Sequence, residues 1–423
     1  MNYVSLIIGK TVIFLMRLLG RNANTLPGLI IEKLNPKFLD SKLSKLPNGV
    51  IIVTGTNGKT TTTKLLSSLL SAQGLRVLSN QTGGNFVRGI ISLVLDKTSL
   101  TNKLDYDVAV LELDEAHGVR FVNYSRPRGV IALNILRDQL DRFGEIDQTA
   151  ELVAKIAKSS KDFIVLNSND PRISKISDQV KNREIYWYGY SSKLKDIFIS
   201  DDQHYSKDVN FFEAHRPDVE LLSFNENKLV INADMKRELP FKLSGSYNAV
   251  NIVAAIAGLN AIMSEVDYDN VTKVLSEFRP AFGRGEVLEL KNGVSLQLQL
   301  VKNPSGFNQA LNITSDHHFD KVGIVINDNY SDGRDVSWLY DVNFKVLKNL
   351  KIYVGGIRYL DMALRLKLLD IDSNTCSSLQ ELIKDISKLE KNQKAIIYCT
   401  YTAMLEIRNI LKDKVENFEE VGL

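Results

Sequence analysis

Cysteine is nearly absent. Among 423 residues only Cys376 and Cys399 carry a thiol, too few for a disulfide framework or a four-thiolate zinc site, and the shortage fits a cytosolic compartment. Excess charge of one sign is also missing. Lys plus Arg number 53 against 50 Asp plus Glu, a net of +3, whereas a protein whose main partner is nucleic acid normally presents a strongly basic face. The chain has no internal repeat, no low-complexity tract and no uninterrupted apolar run long enough to cross a bilayer. Its most apolar stretch, Met1 to Gly20, is split by Lys10 and Arg17 into pieces well short of the roughly 20 residues a membrane helix needs. No small-residue cleavage site follows, as it would after a secretory signal. The stretch reads as an amphipathic helix, either packed on the next domain or lying at a membrane surface.

What remains is an ordinary globular composition, 44% apolar and 24% charged, in a chain whose length predicts two or three domains at about 150 residues each. From Gly49 onward, short β-branched runs alternate with helical stretches, the pattern of an α/β fold with a parallel sheet. The runs Val50 to Thr54, Val108 to Leu113, Val130 to Asn134 and Phe163 to Asn167 read as strands. Thr60 to Gln73, Ile146 to Lys158 and the alanine-rich Tyr247 to Asn260 read as helices. Between Ser191 and Glu238 the periodicity fades, which predicts an insertion or a small antiparallel excursion. Phe278 to Gly285 (FRPAFGRG) has the Pro and Gly density of a linker. Four further strand-like runs near Val294, Val322, Lys351 and Ala395 predict a second, smaller α/β domain. The expected division is an N-terminal helical segment (1–45), a central domain (46–278, insertion about 191–238) and a C-terminal domain (279–423).

The sharpest local signal is Ile51 to Lys64, IIVTGTNGKTTTTK, a buried strand running through a Gly-rich turn into a helix. Gly55 and Gly58 allow a tight turn whose backbone N–H groups, with those of Thr56, Asn57 and Thr61, converge on one anion at a helix N-terminus. Lys59 would neutralise the β- and γ-phosphates of ATP and the Thr60 hydroxyl would reach Mg²⁺. The spacing is shorter than the common G-x-x-x-x-G-K-[ST], since Val53 stands where that pattern has its first Gly.

This string resembles the Mur ligase family, the ATP-dependent enzymes that build the peptidoglycan stem peptide, together with folylpolyglutamate synthetase. Glu112, at the end of Val108 to Leu113, matches the family's Mg²⁺ carboxylate. Asn251 matches the asparagine that contacts the nucleotide base. Arg284, in Phe282-Gly283-Arg284-Gly285-Glu286, resembles the G-R-x-E entry to the C-terminal domain. There are departures. Where relatives that join amino acids show D-H-x-D-x-H, Asp138 to Phe143 reads DQLDRF, with Gln139 and Phe143 in place of the histidines. Lys155 falls near, not on, the position of the family's carbamoylated lysine. Leu298 to Pro304 (LQLVKNP) stands where many relatives have D-Y-A-H-N-P. These changes point to an incoming nucleophile other than an amino acid.

Arg137 to Asp147 (RDQLDRFGEID), Lys302 to Gly306 (KNPSG) and Asn327 to Trp338 (NDNYSDGRDVSW) are similar to one branch of the family, the Mur ligase-like subunits of lipid II isoglutaminyl synthases. The resemblance implies ATP-dependent amidation of the α-carboxylate of D-glutamate in lipid II, with ammonia supplied by a GatD-like glutaminase in a heterodimer, at the inner face of the membrane. It also implies that Asp335, in the G-R-D string, completes the partner's Cys-His pair. The residues agree that a partner is needed, because hydrolysing glutamine takes an activated nucleophile. Cys399 lies in an apolar strand and Cys376 in a polar loop with no histidine near it in sequence. Taken alone, Asp335 also suits an N-cap for a helix starting at Val336. No cysteine precedes Asn374, so a thiolate zinc site in the central insertion is excluded. His204 and His215 read as solvated surface, His317 and His318 as following a helix end, and His117 as a helix-start residue. The competing readings are an amino-acid ligase of the same superfamily and an inactive scaffold that lends Asp335 to a glutaminase.

Overall fold

Val50–Thr54 (β1) shows why the central sheet forms: five consecutive residues, four of them apolar and all β-branched, are buried on both faces, as in the middle of a parallel sheet. The computed structural model describes residues 2–20, 23, 25–80, 84–136, 146–180, 182–198, 211–243, 245–279, 284–316 and 318–416. In it, β1 lies between Val108–Glu112 (β3) and Gly129–Ala132 (β4), parallel to both. The sheet continues on one side through Val77–Ser79 (β2). On the other it runs through Phe163–Asn167 (β5), Glu184–Tyr190 (β6), Val219–Phe224 (β7), Lys228–Ala233 (β8) and Met235–Pro240 (β9). Pairing is parallel through β7 and antiparallel from β7 to β9. The expected insertion is therefore no separate module in its described part: β7 joins β6 and the antiparallel excursion extends the same sheet.

The helices in chain order are Asn2–Leu18 (α1), Leu26–Leu34 (α2), Phe38–Leu43 (α3), Lys59–Ala72 (α4), Val87–Lys97 (α5), Glu115–Val122 (α6), Ile146–Lys158 (α7), Pro171–Ser174 (α8), Tyr247–Ile262 (α9), Tyr268–Glu277 (α10), Pro304–Asp316 (α11), Tyr359–Lys367 (α12), Leu379–Ile386 (α13) and Tyr401–Leu411 (α14). In α4 the leucines at 65, 66, 69 and 70 recur at helical spacing and are fully buried against β1 and β3. Helix α9 is apolar nearly all round, which demands burial on every side. It packs on α4 and across β5 to β7, closely enough at Gly258 that a Cβ would lie 2.5 Å from Ile131 Cδ1.

The N-terminal helices cover the opposite face. The Leu26-Pro27-Gly28 turn sits so close to α5 that a Cβ on Gly28 would lie 1.9 Å from the Arg88 carbonyl oxygen. Glu32 fastens α2 in place, accepting from Arg88 Nε (2.8 Å), Arg120 (2.6 Å) and the Tyr124 hydroxyl (2.7 Å). Burial works against its charge, but these donors outweigh that and hold its carboxyl below the usual range.

A second sheet carries the C-terminal part, in the order Arg284–Glu289 (β10), Ser295–Leu300 (β11), Lys394–Cys399 (β15), Lys321–Val325 (β12), Lys351–Gly355 (β13) and Asn374–Thr375 (β14). All neighbours are parallel except β10 and β11. The segment expected as linker ends in strand: β10 begins at Arg284, paired with Gln299, and a bulge follows before Glu286. Cys399 is buried in β15 as expected. Cys376 lies in the loop after β14, as read, and the packing of α13 buries it.

Candidate active site

The turn after β1 is built for close approach. Gly55 (φ +127°) and Gly58 (φ +88°) occupy backbone conformations that favour glycine, and a Cβ on Gly58 would lie 2.3 Å from Asn251 Oδ1. The first helical bond of α4 runs from Thr62 N to Gly58 O, so the N–H groups of Lys59, Thr60 and Thr61 precede the intrahelical ladder and face the turn. Asn134 shapes the turn from β4: its Oδ1 accepts from Asn57 N (2.9 Å), its Nδ2 donates to Asn57 O (3.0 Å) and its carbonyl accepts from Thr56 N (2.9 Å).

Lys59 and Thr60 then separate by role. Lys59 is buried, with Nζ 2.6 Å from Gly55 O, 3.2 Å from Asp114 Oδ1 and 3.7 Å from Glu115 Oε1. Burial acts to raise the pKa of Asp114, but the charges of Lys59 and Lys302 and the hydrogen bond from Lys59 prevail and lower it. Thr60 Oγ1 donates to Glu112 Oε1 at 3.0 Å, so the two residues predicted to hold Mg²⁺ meet although 52 positions separate them. Both offer hard oxygen donors of the kind that ion takes. Two residues missed at the sequence level aim the carboxylate: Asn85 Nδ2 donates to Glu112 Oε1 (2.9 Å), while Asn80 exchanges two hydrogen bonds with the Glu112 backbone. Their side chains are polar amides in loop sequence, a pattern too common to mark a site. Asp114 and Glu115 were legible only as neighbours of Glu112.

Beside the turn opens a cleft of about 850 Å³, counting open solvent, lined by Gly58, Ile135, Tyr190, Tyr247, Val250 and Asn251 among others. Asn251 is buried, its Nδ2 donating to Asn248 Oδ1 at 3.2 Å. Arg284 opens β10 opposite Gln299, whose Nε2 reaches the Tyr247 hydroxyl at 3.3 Å; the Arg284 side chain lies outside what is described. The segment Asp138 to Phe143 also lies outside the described residues, as do His204 and His317. Lys155 is exposed on α7. His117 sits in the first turn of α6, as read, and tilts against Phe86 (ring centroids 6.0 Å). His215 is exposed but stacks on Trp187 (4.3 Å). No group of three or more metal-ligating side chains occurs among the described residues.

The two sheets meet at this turn. Asn303 and Asn57 pair their side-chain amides reciprocally (3.4 and 3.2 Å), and Lys302 Nζ donates to Thr56 O at 3.3 Å. Asn303 also caps α11, accepting from Gly306 N at 2.7 Å. The K-N-P string thus supports the phosphate turn directly, a contact that sequence spacing did not reveal.

Asp335 belongs to a different group. The loop 327–338 leaves the end of β12 and is stitched to the start of α14. Asp332 accepts from Thr402 N (2.7 Å) and from the Thr402 hydroxyl, while Asn327 and Asn329 donate to Thr402 Oγ1 (3.0 and 2.9 Å). Asp328 pairs with Arg358 at 3.0 Å. Asp335 is half-buried and its Oδ1 accepts from Ser337 N at 2.8 Å. The expected α-helix starting at Val336 is instead a short 3-10 turn, Ser337–Asp341, with Val336 at its N-cap, so Asp335 stands one residue ahead of the cap and closes a local i to i+2 turn rather than capping a helix. Tyr330 in the same loop is 86% exposed. Arg365 of α12 donates to the carbonyls of Leu339, Tyr340 and Val342, tying that helix to the turn. Around them Ile357, Leu360, Leu364 and Leu368 leave an apolar face of α12 uncovered.

Comparison with known proteins bears on the fold and the family. Residues 53–259 match the family model of the Mur ligase middle domain, and residues 300–404 match that of the MurT ligase C-terminal region. The fold is similar to MurF from Acinetobacter baumannii (TM-score 0.70, 18% identity, covering 92% of this chain and 80% of that one). It is similar also to MurF ligase from Thermotoga maritima in complex with ADP (TM-score 0.68, 17% identity, 92% and 84%). In sequence the chain is 30% identical to the MurT subunit of the glutamine-hydrolysing lipid II isoglutaminyl synthase of Streptococcus pneumoniae (strain ATCC BAA-255 / R6), over 97% of each chain. With that identity along nearly its whole length, the chain belongs to the family of MurT subunits of lipid II isoglutaminyl synthase.

Proposed function

We propose that this chain is the synthetase subunit of a lipid II isoglutaminyl synthase, amidating the α-carboxylate of D-glutamate in the stem peptide to D-isoglutamine at the cytoplasmic face of the membrane. The observation that carries the reading is the convergence of Lys59, Thr60 and Glu112 on one side of a turn too tight for any side chain at Gly58. A carboxylate is a poor electrophile. Transfer of the γ-phosphoryl group of ATP to one carboxylate oxygen gives an acyl phosphate. The lone pair of ammonia then attacks its carbonyl carbon, the C–N bond forms, phosphate departs with the C–O bond electrons, and the nitrogen sheds a proton. Such chemistry depends on charge neutralisation and positioning. Gly55, Thr56, Asn57, Gly58 and Thr61 supply the phosphate cradle, Lys59 the cationic partner, and Asn251 with Arg284 the nucleotide end. Mg²⁺ held by Thr60 and Glu112 would neutralise phosphate charge. No zinc site is part of this reading.

Ammonia would come from glutamine, hydrolysed by a GatD-like glutaminase bound as the second half of a heterodimer. Support comes from the placement of Asp335: a half-buried carboxylate at the rim of the 279–423 portion, available to orient a histidine across an interface, beside the apolar face of α12. Helix α11 spans the distance between the two chemistries. Its cap Asn303 touches the phosphate turn, while its Asn308 bonds the backbone of Asp341 and Asn343, just beyond the Asp335 turn. The segments carrying Asn303 and Asp335 both leave the C-terminal ends of strands of the second sheet, β11 and β12.

The test is a mass measurement on lipid II incubated with the chain, ATP and Mg²⁺, with ammonium or with glutamine plus the glutaminase. The expected result is an amide on the D-glutamate with ammonium alone, and with glutamine only when the partner is present. ATP hydrolysis without an amide from either nitrogen source, or ligation of a free amino acid, would overturn the reading in favour of an amino-acid ligase.

A further inference from the structure

Helix α1 is apolar on two faces. Leu6 and Ile13 are buried, and Gly9 lies so close to α5 that a Cβ would meet Leu95 Cδ2 at 2.4 Å; that face is a docked face of the fold. On the far side Val4, Ile7, Phe14, Leu15 and Leu18 follow at helical spacing and stand in solvent, Phe14 64% and Leu18 71% exposed. A surface helix ordinarily turns polar residues outward, and a contiguous exposed apolar stripe marks a surface that something covers. The stripe runs along most of a 17-residue helix, about 25 Å at the α-helical rise.

The charge around the stripe identifies the occupant. No acidic residue precedes Glu32, while Lys10, Arg17 and Arg21 give the first 31 residues a formal +3, as large as the net charge of the whole chain. Glu32 itself is enclosed by Arg88, Arg120 and Tyr124. Lys10 and Arg17, seven residues apart and so on one edge of the helix, both meet Asp96: Arg17 pairs with its carboxylate at 3.0 Å, and Lys10 Nζ donates to its backbone carbonyl at 2.7 Å. Two copies of this stripe laid face to face would bring their positive borders together, whereas anionic headgroups are attracted to it. No helix among the described residues is long and apolar enough to cross a membrane, so α1 can lie on a bilayer without spanning it.

We infer that the outward face of α1 is a monotopic docking surface for an anionic phospholipid bilayer, holding the fold against the membrane through α2 and α5. This deepens the proposed function, resting on its lipid-linked substrate, but it is tested without that substrate. The full chain is sedimented with vesicles of phosphatidylcholine alone or mixed with phosphatidylglycerol, lipid II absent. Binding should be several-fold stronger to the anionic vesicles and weaken with added salt. The pair Phe14→Glu and Leu18→Glu should reduce it about tenfold or more by placing charge where acyl chains would sit, with thermal unfolding unchanged because both positions are exposed. In detergent-solubilised lipid II the same variant should amidate at the parent rate. Three results would overturn the inference: no sedimentation of the parent chain with anionic vesicles, undiminished binding by the variant, or a parent dimer in solution that the variant converts to monomer. Vesicle binding as expected, with no amidation by either protein, would sink the proposed function and leave this surface standing.

Discussion

The phosphate turn after β1 and the loop after β12 both sit at the C-terminal ends of parallel strands, where open α/β sheets place their ligands, yet they are built from opposite materials. At the first, charges are buried and already paired: Lys59 with Asp114 and Glu115, Thr60 with Glu112. At the second, hydroxyls, amides and Asp332 stitch the backbone, while the Asp335 carboxylate accepts from the backbone N–H of Ser337 and is only half-buried. The first gathers its charged groups within the chain itself. The second holds a carboxylate by a single local hydrogen bond and leaves it half-exposed.

The comparison breaks most visibly at Lys59. Lys59→Ala should cost about 10³-fold or more in amidation, by the scale of removing a preorganised charge partner from a developing phosphoryl charge, and equally with ammonium and glutamine. A variant that kept the ammonium rate would dissolve the distinction between the two sites. Asp335→Asn should separate them cleanly, lowering glutamine-dependent amidation by about 10²–10³-fold, the scale of a misoriented general base, with the ammonium rate retained. Loss of both rates would remove Asp335 from the glutaminase.

A smaller effect sharpens the contrast. Asp332→Ala orphans the N–H and hydroxyl of Thr402 and should destabilise the fold by about 1–3 kcal/mol, measured by denaturant unfolding, while slowing only the glutamine-dependent rate, by about tenfold, through displacement of Asp335. The smallest effect is chemical silence. Burial pushes the thiol of Cys376 up to about 11 and that of Cys399 higher still, so at mildly alkaline pH both remain protonated in the folded chain. A thiol-titrating reagent should therefore register neither until denaturant is added. Rapid labelling of the native protein would show that one of them is reactive.

How much of this was legible in the sequence depended on separation along the chain. The β1 turn and α4 could be read because strand, glycines and Lys59 lie within a few positions of one another. Ile146–Lys158 was legible from its period alone. The extension of the main sheet by β7 to β9 was not, because short antiparallel strands carrying Glu220, Lys228 and Arg237 lack a strong alternation. Cys376 was legible as a loop cysteine among the polar Thr375, Ser377 and Ser378, but its depth was not, because only the tertiary placement of α13 buries it. Asp335 reads as a cap in sequence, but the turn starts one residue later than expected and leaves Asp335 ahead of the cap, because a carboxylate before a short turn carries the same signal in both registers. The supports of the site, Asn80 and Asn85 on Glu112 and Asn303 on Asn57, were invisible because ordinary amide residues gain meaning only from their partners.

The pairing of Asn57 with Asn303 also sets a schedule. The two residues are 246 positions apart, and a chain emerges from the ribosome N-terminus first, at about 5–20 residues per second. Asn57, Asn134 and the whole of β1 to β5 are therefore exposed and foldable well before Asn303 exists. Asn134, one amide partner of the turn, is thus made long before Asn303, and the second partner is added only when the KNPSG segment arrives. A nascent chain stalled before residue 303 lacks the Asn57–Asn303 pair, which makes that pair a marker that the KNPSG segment has reached the turn after β1.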